Sequence, residues 1–487
     1  MNRRRGVSRR QFVRYAAAGA ASICLSGCAA LGRRREARVT PIGRGRYPRV
    51  DLIDREAFGR LVEVALNTAQ ADHTWIVLRD RKGGRTDFGL EGVRDRAERS
   101  SAPLRVRVAF GQQEGEAVAE RLNAEGVVAA VRAAEERARG AATNPDALPP
   151  LPAQRPYLVL PTYRAETAAA GRGRRVAAAE AASACCAGQD VLVSGDVATY
   201  AEAVGVAADA GLFAFEQRTH AGFRLTVRGS ECAGHAANIH RSIDDLGILA
   251  YTRVAIRRAK LPAYRAQFAP GRYTAVLGPR AVARLVQLLL AEIDAGADRE
   301  GAGRLREKLG VAIIDRRLTL QNRPQHPDLL GAGFDLNGLP GDAARWIEHG
   351  VLKRVGCDQR CARESGSVPT YAPDAPYLSA ETAECGSLDD LVGATRRGIL
   401  VSDIESVAYA DRDTLTLTGM TGDDTALIEN GAAVAGLGGL RWRGTLLGVL
   451  NAIEMCTPPC EAVADDVDKL LVPALVVGDF ACDGAAS

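Results

Sequence analysis

The helix that the sequence predicts from Val282 to Ala295 constrains the fold more than any other segment. Its large apolar residues recur at intervals of three and four positions, so they share one face of a helix. A strand-like run, Tyr273–Leu277, and a turn at Gly278-Pro279 precede the helix. The segment therefore predicts a helix that buries one face in a core. The apolar residues of that face are Val282, Leu285, Val286, Leu289, Leu290 and Ile293.

The segments after this helix predict a β-rich C-terminal half. A short helix is expected after Ser387, where the Ser387 hydroxyl and the Asp390 carboxylate form a capping-box-like pattern, and it ends before Gly398. Otherwise short strand-like runs alternate with glycine turns. These runs are Val311–Ile314, Leu318–Leu320, Ile399–Val401, Thr414–Thr418, Ala426–Ile428 and Ala474–Val477.

The first half has mixed α and β patterns, and a boundary near Pro262–Pro270 ends it. The expected fold class is therefore α+β, with an N-terminal α/β domain over residues 51–262 and a C-terminal β-rich domain over residues 263–487. Helices are expected over Asp54–Ala71, Glu114–Arg139, Arg175–Cys186 and Ile243–Lys260. Strands are expected at His73–Leu78, Leu104–Phe110, Asp190–Ser194, Leu212–Glu216 and Phe223–Arg228.

The N-terminus predicts export. Arg9 and Arg10, followed by Gln11-Phe12, resemble a twin-arginine export motif, and Leu25-Ser26-Gly27-Cys28 resembles a lipobox in which Cys28 carries the lipid. We therefore expect a signal peptide over residues 1–27, a basic tether over residues 28–50, and a lipid anchor on the periplasmic side of the cell envelope. Without the six arginines of residues 1–27, the formal net charge falls from +4 to −2, which removes the main argument for nucleic-acid binding.

From about residue 270 onward, the chain resembles the C-terminal region of the TldD/PmbA metallopeptidase family. The resemblance lies in the order of several short stretches. One of them, Phe334–Gly338, departs from the family pattern because Asn337 stands where a second acid is usual. The others are Pro270–Pro279, Trp346–Lys353, Gly398–Val401, Leu427–Gly431 and Val472–Gly478. The resemblance implies a two-domain TldD/PmbA-like fold.

The resemblance also locates the family's metal-binding helix. The active subunit of the family has an HExxxH motif there, with two histidine ligands, a glutamate base and a third ligand from a cysteine near the C-terminus. The corresponding residues here are Gln287-Leu-Leu-Leu-Ala-Glu292, with Leu288 at the position of the base. Leucine neither binds a cation nor accepts a proton. The chain therefore resembles the partner subunit, the TldE/PmbA type, and no catalytic residue and no cofactor is predicted.

Two histidines elsewhere have the HExxxH spacing. His235 and His240 lie five residues apart in a segment that begins Glu231-Cys232, but Ala236 occupies the glutamate position. Positions i and i+5 of a regular helix are about 140° apart and share a face poorly. We expect two solvent-facing histidines on a short helix, and we keep a metal site made of His235, His240 and Cys456 as the weaker alternative.

Two CxxxC pairs leave three possibilities open. Cys357 and Cys361 form one pair, and Cys456 and Cys460 form the other. The four thiolates could bind zinc if the fold brings them together, the oxidising exterior of a cell permits one or two disulfides, and unpaired thiols are the third possibility.

These observations predict an exported, lipid-anchored protein that pairs with an HExxxH-bearing TldD-like paralogue. The chain would form the non-catalytic half of a hydrolase that degrades unstructured peptides. Two alternatives stay open: a metallopeptidase with a rebuilt metal site, and an envelope lipoprotein that binds peptides without hydrolysing them. Peptides and the membrane, the latter through the lipid only, are the other expected partners, and nucleic acid is not one.

Overall fold

The computed structural model describes residues 51–99, 104–154, 156–294, 305–464 and 468–485. The N-terminal half forms an antiparallel sheet of seven strands. The strands are β1 (His73–Gly89), β2 (Gly92–Arg99), β3 (Leu104–Phe110), β4 (Gln113–Ala119), β5 (Leu192–Ala208), β6 (Phe213–Arg228) and β7 (Ala233–His240). Their order is β4-β3-β1-β5-β6-β7, and β2 pairs with β1.

The helices of this half cover one face of the sheet. Ile76 and Leu78 of β1 point into the core beneath these helices, where Phe58 is fully buried. Because side chains alternate along a strand, Arg79 and Arg81 point to the opposite face. The helices are α1 (Arg55–Thr68), α2 (Ala124–Arg139), α3 (Ala165–Ala168), α4 (Arg172–Cys186) and α5 (Ile248–Ala259).

The C-terminal half contains two sheets. The strands of the first are, in chain order, β9 (Leu318–Asn322), β10 (Arg345–Glu348), β11 (Val351–Leu352), β12 (Pro376–Ala380), β20 (Cys460–Ala464) and β21 (Asp468–Val472). Those of the second are β8 (Gly271–Leu277), β13 (Arg397–Val401), β14 (Ile404–Asp411), β15 (Thr416–Thr421), β16 (Ala426–Glu429), β17 (Ala432–Gly436), β18 (Leu440–Thr445), β19 (Ile453–Cys456) and β22 (Leu475–Ala485). The first sheet has the order β11-β10-β9-β12-β21-β20, and the second has the order β14-β15-β18-β22-β8-β13-β16-β17, with β19 paired to β22.

Helix α6 (Pro279–Ile293) packs against both C-terminal sheets. It begins directly after β8, and Pro279 in its first turn has the fixed φ that suits a helix start. Leu285, Leu289 and Ile293 are fully buried in a core to which both sheets contribute. The other helices of this half are α7 (Gln359–Ser365), α8 (Leu388–Ala394) and α9 (Leu446–Val449).

The structure confirms the α+β class and corrects several boundaries. The helix expected over Glu114–Arg139 begins only at Ala124, because Gln113–Ala119 forms strand β4 with alternate residues buried. The Asn123 side chain caps α2 by accepting a hydrogen bond from Gly126 N at 2.9 Å. The strand expected at Val311–Ile314 is reduced to one bridge between Ala312 and Val351.

Ser387 caps α8 as predicted. Its hydroxyl oxygen accepts a hydrogen bond from Asp390 N at 3.1 Å and donates one to the Asp390 carboxylate at 2.7 Å. The pattern was local, with both partners inside one turn of helix, and a local pattern of this kind is visible in the sequence.

The prediction of a short helix around His235 and His240 is wrong. Ala233–His240 forms strand β7, which pairs with β6 along its whole length. All eight residues are buried, so the two histidines do not face solvent. The segment is rich in alanine, which favours helices, and pairing with β6 and burial between the two halves override that preference.

Candidate functional site

Helix α6 places Gln287 and Glu292 toward different neighbours. Gln287 is partly buried, and its Nε2 donates a hydrogen bond to Asp468 Oδ2 of β21 at 2.7 Å. Glu292 is 2% exposed, and its Oε1 lies 3.8 Å from Arg412 Nε beyond β14. Residues five apart on a helix point about 140° apart, which explains why the two side chains contact different strands. They do not form a pair of ligands.

Leu288, which stands at the position of the family's general base, is apolar and has apolar neighbours. Leu288 is partly buried and packs against the main C-terminal core. Its neighbour Leu289 is fully buried in that core. A side chain at this point of the helix is held by hydrophobic packing, and it cannot activate water. The residues of α6 therefore do not fit a catalytic metal.

His235 and His240 lie on opposite faces of β7, because they are an odd number of residues apart on a strand. Five residues of strand also separate them by about 17 Å. His235 Nδ1 lies 3.1 Å from Thr226 Oγ1, and its Nε2 contacts the Asp423 carboxylate. The structure therefore does not bring the two histidines together as ligands of one ion.

His240 does lie in a cluster that the sequence did not reveal. Three side chains, those of His240, Asp328 and Glu461, each have one potential ligand atom within 4.8 Å of the other two, a spacing that could hold a cation. Asp328 and Glu461 come from the C-terminal half, at sequence separations that no local pattern spans. The cluster becomes visible only when β7 packs against β20.

Lys469 supplies a positive charge to this cluster. Its ammonium donates hydrogen bonds to Glu461 Oε1 at 2.8 Å and to Ile239 O at 2.5 Å. Its side chain is fully buried. Burial lowers the pKa of Lys469, while Glu461, Asp328 and Asp245 oppose that shift. The second oxygen of Glu461 accepts hydrogen bonds from Asn238 at 3.1 Å and Tyr251 at 3.3 Å.

The hydrogen bonds of His240 also disfavour a metal. Its Nδ1 accepts a hydrogen bond from Ser242 N at 3.1 Å, so in the neutral ring the proton lies on Nε2. Nε2 faces Asp328 Oδ1 at 3.8 Å. A metal on Nε2 would require the other tautomer, which would direct Nδ1–H at a backbone N–H. The cluster is an ion-pair group that joins the two halves of the chain.

The two CxxxC pairs of the sequence, both within the described residues, behave differently. Cys357 and Cys361 are disulfide-bonded, with 5.2 Å between their Cα atoms. Cys456 and Cys460 are not joined to each other by a disulfide. Cys456 is buried, its Sγ lies 3.1 Å from Thr382 O and 3.3 Å from Glu384 Oε2, and burial raises its pKa to about 12. The structure therefore does not assemble four thiolates, and Cys456 shares no partner with either histidine of β7.

The Phe334–Gly338 loop of the C-terminal half packs against the N-terminal half. Asp335 Oδ1 accepts hydrogen bonds from Asn337 N and Leu339 N, both at 2.9 Å, which shapes the turn. Phe334 packs against β5 and β6 of the N-terminal sheet. Asn337 contacts Asp335 in this turn, so its departure from the family pattern leaves the loop closed by local hydrogen bonds.

Arg9, Arg10 and Cys28, for which export and lipidation are predicted, lie outside the described residues. Among the residues that are described, no helix is long and apolar enough to cross a membrane.

Comparison with known proteins shows which family model the sequence matches and which solved structures the fold resembles. Residues 270–484 match the model of the PmbA/TldA metallopeptidase C-terminal domain. TldE from Thermococcus kodakarensis is similar in structure, with a TM-score of 0.77 and 17% sequence identity, and the match covers 88% of this chain and 100% of that chain. No curated protein matches at a significant level.

Two further solved structures are similar, and both are described as modulators of DNA gyrase. The one from Thermotoga maritima has a TM-score of 0.73 and 17% identity, and the match covers 88% of this chain and 99% of that chain. The one from Bacteroides thetaiotaomicron has a TM-score of 0.73 and 18% identity, with 88% and 98% covered. At these identities the likeness shows a shared fold.

Proposed function

Because this chain belongs to the TldD/PmbA family, we propose that it is the non-catalytic, TldE-like subunit of a metallopeptidase complex that acts on unstructured peptides. Its partner would be an HExxxH-bearing TldD-like paralogue, which would supply the metal and the general base. The observation that carries the proposal is helix α6. There Gln287 contacts Asp468, Leu288 packs in a core and Glu292 is buried near Arg412.

The residues of β7 support the same proposal. His235 and His240 are the alternative ligands, and each is already engaged by a carboxylate of the C-terminal half. No step through a metal is therefore assigned to this chain. Its own contribution would be to bind the paralogue and to form part of the chamber that receives the peptide.

Export is a second part of the proposal, and it rests on the sequence. The paired Arg9-Arg10 and the lipobox ending at Cys28 stand in the order that a twin-arginine lipoprotein signal requires. The twin-arginine route carries folded cargo, which suits a chain that assembles with a partner before export. The mature protein would begin at a lipidated Cys28 and remain in the cell envelope.

The partner is tested by co-expression of the full chain with the HExxxH-bearing paralogue of the same organism. We expect the two to co-purify, the metal to be stoichiometric with the paralogue, and the complex to hydrolyse an unstructured peptide. The chain alone should hold no stoichiometric metal and hydrolyse nothing. A paralogue whose HExxxH glutamate is replaced by glutamine is the matched control, since it should bind the chain and leave the peptide intact.

Other results would favour the alternatives. Metal and peptidase activity in the chain alone, both lost on His240→Ala, would indicate a rebuilt metallopeptidase site. A metal-free chain that binds peptides but never the paralogue would indicate a stand-alone binding lipoprotein. Either result would overturn the heterodimer.

Export is tested in cells. Replacing Arg9 and Arg10 together by lysine should retain the chain in the cytoplasm, because the twin-arginine route reads the arginine pair. Cys28→Ser should leave an exported chain without lipid, which fractionation and mass spectrometry distinguish from the lipidated form. Unchanged membrane association of both variants would contradict this part of the proposal.

A further inference from the structure

One end of the N-terminal sheet exposes large apolar side chains. Leu90, in the turn between β1 and β2, is 82% exposed, and Val93 of β2 and Leu192 of β5 are 40% and 52% exposed. The strand register brings them together, because Phe88 of β1 pairs with both Val93 and Gly195. We call this end of the sheet, defined by Leu90, Val93 and Leu192, the hairpin tip.

The turn itself does not require an apolar residue. Two residues, Leu90 and Glu91, connect the paired Gly89 and Gly92, and turns of this length favour Asn, Asp and Gly. A polar residue in place of Leu90 would therefore close the same turn. Exposed apolar clusters with a polar border mark surfaces that contact another protein or a membrane.

The border of the hairpin tip carries arginines. Leu90 and Leu192 line a surface cavity of about 610 Å³ whose charged lining residues are three arginines and two acids. An apolar centre bordered by arginines suits the interface of a membrane, because the long arginine side chain keeps its charge at the level of the headgroups. The charged residues are Arg94, Arg96, Arg228, Asp87 and Glu91.

The predicted lipid anchor can bring the hairpin tip to a membrane. Asp51, the first described residue, lies 3.2 Å from Lys82 Nζ of β1. Eight residues of strand, about 26 Å, separate Lys82 from Leu90. The chain between Cys28 and Asp51 spans at most about 80 Å, which exceeds that distance. A lipid on Cys28 therefore leaves the hairpin tip within reach of the membrane surface.

The tether indicates the charge of that surface. Residues 28–50 contain seven arginines and one glutamate, a formal charge of +6. Basic residues next to a lipid anchor are attracted to anionic headgroups, and each one adds to the attraction. This charge complementarity favours an anionic lipid surface as the partner of the hairpin tip.

We propose that the hairpin tip docks on the anionic membrane surface to which the lipid of Cys28 anchors the chain. Leu90, Val93 and Leu192 enter the boundary between headgroups and acyl chains, and the bordering arginines stay at the level of the phosphates. Docking fixes the orientation of the chain on the membrane, which a lipid at the end of a tether does not. The choice of a membrane rests on the proposed export and lipidation.

The test measures co-sedimentation of the chain from Ala29 to Ser487 with lipid vesicles. This chain keeps the tether and every described residue, and it lacks the predicted signal peptide and the lipid. Vesicles of phosphatidylglycerol and phosphatidylcholine in equal parts are compared with vesicles of phosphatidylcholine alone. We expect tighter binding to the anionic vesicles. Leu90→Ser combined with Leu192→Ser should weaken that binding about tenfold, because two exposed leucines no longer leave water.

A second double variant is the matched control. Val159 and Leu309 are 96% and 51% exposed, so Val159→Ser combined with Leu309→Ser removes a similar apolar surface. Thr162, close to Val159 in the chain, donates a hydrogen bond to Gln217 O at 2.7 Å. Eleven residues of β6, about 36 Å, separate Gln217 from Arg228 at the hairpin tip. The control should bind the vesicles as the wild type does, and circular dichroism checks that both variants fold.

A tryptophan at the hairpin tip separates docking from attraction of the tether alone. The emission of Leu90→Trp should shift to shorter wavelength on anionic vesicles, because the indole leaves water for the interface. Val159→Trp should show no such shift. The native tryptophans are buried and give a constant background; they are Trp75, Trp346 and Trp442.

Undiminished vesicle binding of the folded tip variant, or an unshifted emission of Leu90→Trp, would overturn the proposal. A tip variant that binds vesicles normally but no longer co-purifies with the paralogue would also overturn it, since the tip would then contact protein. The vesicle measurement requires neither export nor the paralogue. A failure of the proposed function and a failure of the docking surface are therefore distinguishable.

Discussion

Helix α6 and strand β7 both pack against β20, α6 from within the C-terminal half and β7 from the N-terminal half. Helix α6 is held by apolar contacts, with Leu285, Leu289 and Ile293 fully buried. Strand β7 carries two histidines, and both contact carboxylates of the other half. Helix α6 lacks side chains that bind metal, whereas both histidines of β7 are held in contacts with carboxylates.

Residue type alone therefore does not make a metal site. A histidine is available to a metal when its unprotonated nitrogen faces open space, and its other nitrogen donates to a neighbour. His240 has the reverse arrangement, since its Nδ1 accepts from Ser242 N and its Nε2 faces Asp328. In β7 the histidines stabilise the contact between the halves, so we expect the two elements to respond differently to mutation.

The largest effect is expected at the contact between the halves. Arg258 of α5 donates to Asp424 Oδ2 at 2.6 Å, and the two side chains are 9% and 0% exposed. Arg258→Ala would leave Asp424 buried and unpaired, which costs about 3–5 kcal/mol of the free energy of unfolding. Urea unfolding of the full chain measures the loss.

The neighbouring residue is the control for that variant. Arg257 is 61% exposed and lies 3.6 Å from Asp389, which is equally exposed. Arg257→Ala should therefore cost about 0–1 kcal/mol. Similar losses for both variants would contradict the view that buried ion pairs hold the halves together.

A smaller effect is expected in helix α6, where the contacts are apolar. Leu289→Ala would leave a cavity in the C-terminal core and cost about 3 kcal/mol. Leu288 is only partly buried, so Leu288→Ala should cost roughly 1 kcal/mol. Urea unfolding of the two variants measures both losses. A larger loss at Leu288 than at Leu289 would show that the position of the family's base has a role beyond packing.

The ion-pair cluster of β7 should make the stability of the folded state depend on pH. His240, whose Nε2 lies 3.8 Å from Asp328 Oδ1, lowers the pKa of Asp328 below its ordinary value of 3.8, against the opposing effect of burial. A lowered carboxyl pKa stabilises the folded state above the unfolded pKa, and this stabilisation is lost as pH falls through the folded pKa. Asp328→Asn should therefore be less stable than the wild type at pH 7, and the gap should close below about pH 4.

Thermal unfolding across the pH range measures that gap. Asp483→Asn is the control, since Asp483 is exposed on β22 and its replacement should change the stability little. A gap at Asp328 that is constant from pH 7 to pH 3 would indicate lost packing, with no contribution from the charge.

The sequence predicts features that depend on residues close together in the chain, and it does not predict features that depend on strand pairing and on the packing of distant segments. The face of α6 and the Ser387 cap follow from residues within a few turns of one another, and both were found. Strand β7 was missed because its small residues have no strand preference of their own. The sequence did not indicate that Asp328, Glu461 and Lys469 lie near His240, because no local pattern indicates the packing of β7 on β20.

The smallest effect is expected where the family's first histidine ligand would stand. The Gln287 side chain is partly buried, and its amide donates one hydrogen bond to Asp468. Gln287→Ala should cost about 1 kcal/mol of the free energy of unfolding. It should leave peptide hydrolysis by the complex with the paralogue unchanged, because no metal depends on it. The same replacement at the first HExxxH histidine of the paralogue should abolish hydrolysis, which makes that variant the matched control. If Gln287→Ala removed activity as the paralogue variant does, α6 would take part in the chemistry, and the contrast between the two elements would fail.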